Sequence, residues 1–312
     1  MKIGALIVTT GLSRTSGVAA LLSEVGAISA GQRMISAFQC AGVSLMGLVV
    51  GPEDKKSDRQ LAQNGVIFLR CQENTGFFQG LQQGLSFMRG KFDRVFVVPG
   101  DVPLFLPSTL QAMLQSPASL VVPETRHVNG YPLLLDDRAM EFLLAQPDYA
   151  VAEKAVRQGA LPLESVRVED SGILLRNTDM SHRKLLIQNH NRQLSRPITE
   201  VTLYNGGPLY DPRLSMLLHL VEDTHSVRDA CSLMQISYSA AWNMLNRAED
   251  ELGFPLITRN RGGASGSGSG LTLKGKLLMD AYDQFAEHLN REAQALYGKF
   301  FNSLVEATYT DI

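Results

Sequence analysis

Short apolar segments, each long enough for one buried strand, alternate with helical segments through the first half of this chain of 312 residues. Ile3–Val8, Ser44–Val50, Val66–Leu69 and Arg94–Val98 lack the polar alternation of a strand that faces water on one side. Strands of this kind occur in parallel sheets, where helices form the crossovers. The pattern therefore predicts an α/β fold with a doubly wound, mostly parallel sheet of the Rossmann type.

Two loops follow strands of the predicted sheet. Gly11–Gly17 is rich in glycine and serine, and Pro99–Pro103 contains Asp101. Because ligands of doubly wound sheets bind outside the carboxyl ends of the strands, we expect both loops to line one cleft. A glycine-rich loop lets backbone N–H groups approach phosphate oxygens, and a carboxylate at a strand end suits Mg²⁺. The alternative is structural: the first loop is a tight strand–helix connection, and Asp101 is a turn or cap residue.

A polar stretch divides the chain at residues 188–197, where the sequence reads Gln-Asn-His-Asn-Arg-Gln-Leu-Ser-Arg-Pro. We predict a linker there, between a domain of residues 1–187 and a domain of residues 198–312. Ile198–Tyr204 is expected to begin the second domain as a strand. No apolar stretch has the length of a membrane span, and the three cysteines are scattered. These features predict a cytoplasmic protein without membrane contact.

The second domain has the spacing of a helix-turn-helix. Ser226 is placed to cap a first helix, and Ser237 to cap a second helix over Tyr238–Leu252. Trp242 is expected to anchor the core. The outer face of the second helix carries the hydroxyl, amide and guanidinium groups that contact with base edges and phosphates requires, at Tyr238, Ser239, Asn243 and Arg247.

Two short strands joined by a glycine-serine loop follow, which is the pattern of a wing. Between Pro255 and Met279 every charged residue is basic: Arg259, Arg261, Lys274 and Lys276. A positive surface without acids suits phosphate contact. We therefore predict that this domain binds DNA through Ser237, Tyr238, Ser239, Asn243, Arg247, Arg259, Arg261 and Lys274.

Apolar residues recur at helical spacing from Thr272 to Leu304. A stripe of this length is either core or the seam between two helices of a dimer. We expect the long helix to form a homodimer, with Phe285 and Leu289 in the seam.

A set of residues in the second domain matches one family: Ser226, Ala230-Cys231, Ile236-Ser237-Tyr238, Ala241-Trp242, Leu245, Glu249, Leu252-Gly253, Arg259, Gly262-Gly263, Gly270-Leu271-Thr272 and Gly275. With these residues, the region from 198 to 290 resembles the N-terminal domain of the molybdate-responsive transcription regulators of the ModE type, relatives of the LysR-type winged helix. The resemblance implies a dimer that reads an inverted repeat in DNA.

Four segments of the first domain match another family: the loop with Gly11, Ser13 and Gly17, then Pro99-Gly100-Asp101-Val102-Pro103-Leu104, Gly130-Tyr131-Pro132 and Asn177-Thr178-Asp179. With these segments, residues 1–187 resemble the nucleotidyltransferases that attach a nucleotide to the molybdenum cofactor. The resemblance implies nucleotide contacts at Gly11, Leu12, Ser13 and Gly17, Mg²⁺ at Asp101 and Asp179, and acceptor contacts at Gly130 and Pro132.

The first loop departs from this family in its cations. Thr15 stands at the family's arginine position and Ala20 at its lysine position, while Arg14 is adjacent. Phosphoryl chemistry depends largely on such charges, so Arg14 and Asp101 are the candidates for catalysis.

Three functions are compatible with the sequence. The first is a transcription regulator, linked to molybdenum cofactor metabolism, whose N-terminal domain binds a nucleotide or a molybdopterin-type ligand. The second is a working cytidylyl- or guanylyltransferase of molybdenum cofactor maturation, with the helix-turn-helix as an accessory. The third is a dimeric scaffold that uses neither site. We predict the first function.

Overall fold

The computed structural model describes residues 1–12, 17–52, 61–63, 65–174, 184–259 and 268–310. The chain divides into two compact units, Met1–Ser195 and Arg196–Ile312, each described below by itself. Within the described ranges, no helix combines the length and the apolar character needed to cross a bilayer.

The first unit is built on one mixed sheet and a small hairpin. The strands are β1 (Ile3–Val8), β2 (Glu24–Val25), β3 (Ile28–Ser29), β4 (Leu45–Val50), β5 (Val66–Arg70), β6 (Arg94–Pro99), β7 (Leu120–Thr125), β8 (Val128–Asn129), β9 (Leu133–Asp136) and β10 (Leu163–Arg167). β2 and β3 form the hairpin, and the sheet has the order β10-β7-β9-β6-β1-β4-β5, with β8 paired to β7. Among the described strands of this sheet, only β8 and β9 run antiparallel to their neighbours. The predicted mostly parallel α/β sheet is confirmed.

Helices cover both faces of this sheet. They are α1 (Gly17–Leu22), α2 (Ala30–Cys40), α3 (Phe77–Met88), α4 (Pro107–Leu114), α5 (Asp137–Leu144), α6 (Tyr149–Arg157) and α7 (Lys184–Gln193). Successive side chains of a strand point to opposite faces. On β1, Ile7 therefore packs with α2, in one core cluster with Phe38, while Leu6 packs against α3. α3 approaches β1 closely, since a Cβ on its Gly84 would lie 2.9 Å from Leu6 Cδ1.

The predicted linker, residues 188–197, is helical in its first part. It contains the last residues of α7, and the boundary between the two units falls after Ser195. Two of its polar side chains bond to residues of the first unit: Arg33 donates to Asn191 Oδ1 over 2.6 Å, and His190, which is fully buried, lies with its Nε2 3.1 Å from the Phe105 carbonyl. His190, predicted to lie in the linker, is therefore part of the core.

The second unit has the elements of the predicted winged helix-turn-helix. They are β11 (Leu203–Tyr204), β12 (Pro208–Tyr210), α8 (Pro212–Thr224), α9 (Val227–Met234), α10 (Tyr238–Leu252), β13 (Ile257–Arg259), β14 (Ser269–Leu271) and α11 (Leu273–Thr310). Ser226 and Ser237 cap α9 and α10 as predicted, by accepting hydrogen bonds from Asp229 N and Ala240 N. α10 ends at Gly253, whose φ of +71° favours glycine.

The predicted strand Ile198–Tyr204 is wrong over its first five residues, and only Leu203–Tyr204 forms a strand. Polar groups of this segment bond to α11 instead of to another strand. Thr199 Oγ1 donates to Asn290 Oδ1 over 2.9 Å, and Tyr282 OH donates to the Val201 carbonyl over 2.7 Å. The segment therefore runs along the long helix and is bonded to it by these two hydrogen bonds.

Candidate functional site

The ends of β1 and β6 bring the two predicted loops to one edge of the sheet. Val8 pairs with Pro99 in parallel register, and Gly100 N donates to the Val8 carbonyl over 2.9 Å. Gly11 and Asp101 therefore follow neighbouring strands at their carboxyl ends, where doubly wound sheets bind ligands. Asp101 is 7% exposed.

Gly11, in the first loop, is tightly surrounded. Its φ is +68°, and a Cβ there would lie 2.1 Å from Phe77 N, at the first turn of α3. Only glycine fits both the conformation and the space. Leu12 is half-buried beside it, and Gly17 opens α1.

The predicted acceptor segment lies against the turn Ser171–Leu174. A Cβ on Gly130 would lie 2.6 Å from the Ile173 carbonyl, which also accepts a hydrogen bond from Tyr131 N over 3.0 Å. Pro132 is buried and follows a cis peptide bond. Gly130 and Pro132 lie between β8 and β9, and no contact in the described part of the chain links them to Gly11.

Asp170 connects this turn to the segment that follows Asp101, a role that no sequence motif indicated. Its carboxylate accepts hydrogen bonds from Leu106 N and Thr109 Oγ1, both over 2.7 Å, and from Gly172 N over 2.8 Å. Burial raises the pKa of Asp170, and the three hydrogen bonds oppose that shift. The carboxylate holds these segments together and is not available to a ligand.

A second buried group, also missed in the sequence, lies around Arg33. Its Nε donates to the Val25 carbonyl over 2.5 Å, and its Nη1 lies 3.4 Å from His190 Nδ1. His190 Nε2 lies 3.1 Å from the Phe105 carbonyl, which can only accept, so Nε2 carries the proton and Nδ1 accepts. Burial and the adjacent Arg33 guanidinium lower the pKa of His190 to about 4, so the ring is neutral.

Several predicted site residues lie outside the described residues: Ser13, Arg14, Asp179 and Arg261. Asp101 is therefore the predicted metal ligand whose position is known. The ranges described contain no group of three His, Cys, Asp or Glu side chains that could hold a metal ion. One carboxylate at a strand end still fits Mg²⁺, which takes one or two carboxylates and completes its shell with phosphate oxygens and water.

The outer face of α10 is a candidate nucleic-acid interface. Tyr238, Ser239, Asn243 and Arg247 are all exposed, and Ala241, Leu245 and Ala248 are buried on the opposite face. Ser237 is exposed as well, but its hydroxyl already serves as the helix cap. Trp242 is half-buried, with its ring 5.9 Å from that of Tyr238.

Arg228, on α9, belongs to the same surface and was not among the predicted residues. It is exposed, and its guanidinium carbon lies 6.0 Å from the centre of the Tyr238 ring. The signal in the sequence was its place in the first turn of α9, the helix that precedes the recognition helix, from which a cation can reach phosphate.

The two wing lysines differ. Lys274 is exposed, and its Nζ lies 4.9 Å from the centre of the Phe254 ring. Lys276 Nζ lies 3.0 Å from Glu222 Oε1, and this hydrogen bond lowers the pKa of Glu222 and raises that of Lys276. In the sequence, the segment from Pro255 to Met279 carries only basic charges. In the structure, the positive charge of Lys276 is balanced by Glu222 of α8. The side chain of Arg259 lies outside the described part of the structure.

Comparison with known proteins finds two family models in this chain. The MobA-like NTP transferase domain matches residues 5–162, and the bacterial regulatory helix-turn-helix protein of the lysR family matches residues 213–276. The solved structure of a Mycobacterium sp. strain JC1 protein, a homologue of a Mycobacterium tuberculosis protein, matches 62% of this chain and 99% of its own at a TM-score of 0.52. It is 14% identical, and the likeness concerns the fold alone.

Two curated relatives match part of the chain. The transcriptional regulator ModE of Yersinia pestis is 37% identical over 79 residues, which are 24% of this chain and 29% of that protein. The molybdenum transport protein ModE of Azotobacter vinelandii is 31% identical over 107 residues, which are 34% of this chain and 38% of that protein. The chain thus spans well under half the length of these relatives.

Proposed function

The chain belongs to the MobA-like NTP transferase family, whose model matches just over half of it, and because a regulatory helix-turn-helix follows in the same chain, we propose that it is a DNA-binding transcription regulator linked to molybdenum cofactor metabolism. The observation that carries the proposal is α10, whose exposed face is polar and whose opposite face is packed. The link to molybdenum is supported by the names of the ModE relatives. A regulator of this kind acts in the cytoplasm, where the DNA is.

α10 acts as the recognition helix of this proposal. Asn243 and Arg247 lie one turn apart on its exposed face, which suits an amide pairing with adenine and a guanidinium pairing with guanine or phosphate. Arg228 and Tyr238 contact the sugar-phosphate backbone of the DNA beside the first turn of α10. Ser237 and Ser239 reach phosphates there, while Arg259, Arg261 and Lys274 contact the backbone from the wing.

The protein acts as a homodimer in this proposal, and reads an inverted repeat. α11 has 38 residues and exposes large apolar side chains, among them Phe285 (50%), Leu289 (36%), Leu296 (52%) and Phe300 (59%). These residues recur at helical spacing, as in a helix that packs against a second copy of itself. Two recognition helices related by such a seam read two half-sites.

The first unit binds a nucleotide or a molybdopterin-type ligand at the sheet edge. Gly11, Leu12, Ser13 and Gly17 offer backbone N–H groups to phosphate, and Arg14 offers a cation. Asp101 and Asp179 would hold Mg²⁺, which when bound neutralises phosphate charge. Gly130 and Pro132 shape the acceptor side.

A second candidate function is nucleotidyl transfer from CTP or GTP to the molybdenum cofactor. The observation that favours it is that Gly11 and Asp101 keep their places on neighbouring strand ends. Arg14 would then take the role of the cations that Thr15 and Ala20 lack. Turnover of CTP or GTP with Mg²⁺ and molybdopterin, lost in Asp101→Asn, would establish this candidate.

The DNA-binding proposal is tested by selecting bound sequences from random duplex DNA with the full chain. We expect an inverted repeat. Arg247→Gln should weaken binding to the selected site tenfold or more, and Arg157→Gln, which removes one exposed cation from α6, serves as the matched control and should have no effect. Absence of any enriched sequence, with retained folding, would falsify sequence-specific DNA binding.

The ligand proposal is tested by calorimetry with CTP, GTP and ATP in Mg²⁺. Binding should occur in the wild type and be lost in Asp101→Asn. If no nucleotide binds the wild type, the first unit has no nucleotide site, and the DNA-binding unit alone defines the function.

A further inference from the structure

The turn between β7 and β8 consists of Arg126 and His127. Thr125 pairs with Val128, so these two residues are the whole loop of a hairpin, and both have left-handed backbone conformations, with φ values of 50° and 64°. Two-residue turns of this kind favour Asn-Gly, because a residue with a Cβ is strained at positive φ. Such strain is typically found where the side chains themselves are needed.

This turn lies at the ligand edge of the sheet. β7 runs parallel to β6 and β1, because β9 is antiparallel to both β6 and β7. The carboxyl end of β7, and with it Arg126, therefore lies at the same edge as Gly11 and Asp101. β9 separates β6 from β7, so their axes are two strand spacings apart, about 10 Å.

A third basic residue comes from the next strand. Arg167 ends β10, the parallel neighbour of β7. Glu124 Oε1 lies 3.7 Å from Arg167 Nε and 3.7 Å from His127 Nδ1. The Glu124 side chain is 20% exposed, whereas those of Arg167 and His127 are 83% and 86% exposed, so the acid lies beneath the two basic groups.

Arg126 adds a positive charge that is not paired with Glu124. It is exposed, and no acid among the described residues lies within ion-pair distance of it. His127 and Arg167 thus share one partly buried carboxylate, Arg126 adds an exposed guanidinium group on the same turn, and Glu169 is the nearest further acid along the chain. Guanidinium groups bind phosphate-like oxyanions through two parallel hydrogen bonds.

We propose that Arg126, His127 and Arg167 bind an oxyanion at the ligand edge, and that this oxyanion is the far end of an acceptor molecule whose reacting phosphate lies at Asp101. The axis of β7 lies about 10 Å from that of β6 and the axis of β10 about 15 Å, a span that fits a small molecule with two anionic ends. The acceptor role rests on the proposed function of the first unit, whereas oxyanion binding by the turn does not.

Thermal melting of the full chain in inorganic phosphate, at an ionic strength held constant with chloride, tests the oxyanion site. Phosphate should raise the Tm of the first unit in a saturable way. Arg126→Gln and Arg167→Gln should each weaken the apparent phosphate affinity at least fivefold. Arg157→Gln, which removes an exposed cation of the same unit elsewhere, should leave it unchanged.

A second variant distinguishes loss of the basic side chains of the turn from loss of folding. Arg126→Asn with His127→Gly installs the favoured turn pair, so the Tm without phosphate should rise while the phosphate effect disappears. Lack of a phosphate effect in the wild type, or equal effects in Arg126→Gln and Arg157→Gln, overturns the proposal.

The Asp101→Asn variant distinguishes oxyanion binding at the turn from nucleotide binding at the first loop. We expect nucleotide binding to be lost and the phosphate effect to remain. If the wild type binds phosphate at the turn but no nucleotide, the oxyanion site stands and its role as part of an acceptor site is overturned.

Discussion

Thr10 Oγ1 occupies the space that a Cβ on Gly80 would need: the two positions are only 2.0 Å apart. Thr10 is 7% exposed, and its hydroxyl has no hydrogen-bond partner among the described residues. The loop after β1 and the first turn of α3 therefore meet at a threonine–glycine contact. This contact lies one residue before Gly11, which packs on the N-terminus of the same helix.

Gly80→Ala should destabilise the first unit by about 1–3 kcal/mol, because the new methyl group overlaps the Thr10 hydroxyl. Thr10→Ala alone should be close to neutral, since it removes a buried hydroxyl that lacks a partner. The double variant should recover most of the lost stability, as measured by urea unfolding followed by far-ultraviolet circular dichroism. Additive effects of the two substitutions would contradict this contact.

Acid should destabilise the first unit through His190. Its pKa is about 4 in the folded state against about 6.5 in the unfolded chain, so the unfolded state binds an additional proton between these values. The stability is present above pH 6.5 and falls as the pH decreases toward 4, by up to about 3 kcal/mol. His190→Gln should flatten this dependence, and His127→Gln, an exposed histidine, should not.

The two units can be followed separately in this experiment. Trp242 is the only tryptophan of the chain and lies in the second unit. Loss of circular dichroism without a change in tryptophan fluorescence therefore reports unfolding of the first unit. An equal pH dependence in the wild type and in His190→Gln would show that other groups dominate.

Asp170→Ala should destabilise the first unit by roughly 2–4 kcal/mol, because it leaves the Leu106 and Gly172 amides and the Thr109 hydroxyl without their buried acceptor. Thr109→Val, which removes one of the three donors, should cost less, about 1 kcal/mol. Chemical unfolding of both variants measures the difference. Equal losses in the two variants would mean that the carboxylate contributes through Thr109 alone.

The wing lysines should contribute unequally to DNA affinity. Lys276 is held by Glu222, so Lys276→Gln removes a charge that is already compensated, whereas Lys274→Gln removes an exposed one. We expect Lys274→Gln to reduce the slope of log affinity against log salt by about 1, and Lys276→Gln to change it little. Fluorescence anisotropy with the selected DNA measures both slopes, and a larger effect at Lys276 would contradict the assignment.

Substitution in the seam of α11 should dissociate the dimer. Phe285→Asp with Leu289→Asp places two charges on the apolar stripe, and the native mass should fall by half in light scattering. Arg291→Asp adds an acid at an exposed polar position of the same helix and should leave the mass unchanged. An unchanged mass in the double variant would place the seam elsewhere.

The sequence by itself determined the elements whose signal is local. The buried strands β1, β4, β5 and β6 are recognisable as apolar runs. The helix caps Ser226 and Ser237 are recognisable because each is a serine directly followed by a helical pattern. Gly11 and Asp101 could be assigned to one edge because parallel strands all end there. The exposed face of α10 followed from helical periodicity alone.

Tertiary structure decided what depends on residues far apart in the chain. His190 lies in the stretch predicted as a linker, and is part of the core because Arg33 and Phe105 supply its hydrogen-bond partners. Asp170, the strained turn at Arg126 and the compensation of Lys276 by Glu222 carry no local pattern either. A polar side chain has the same sequence signature whether water or a distant backbone group satisfies it, so only the fold distinguishes the two cases.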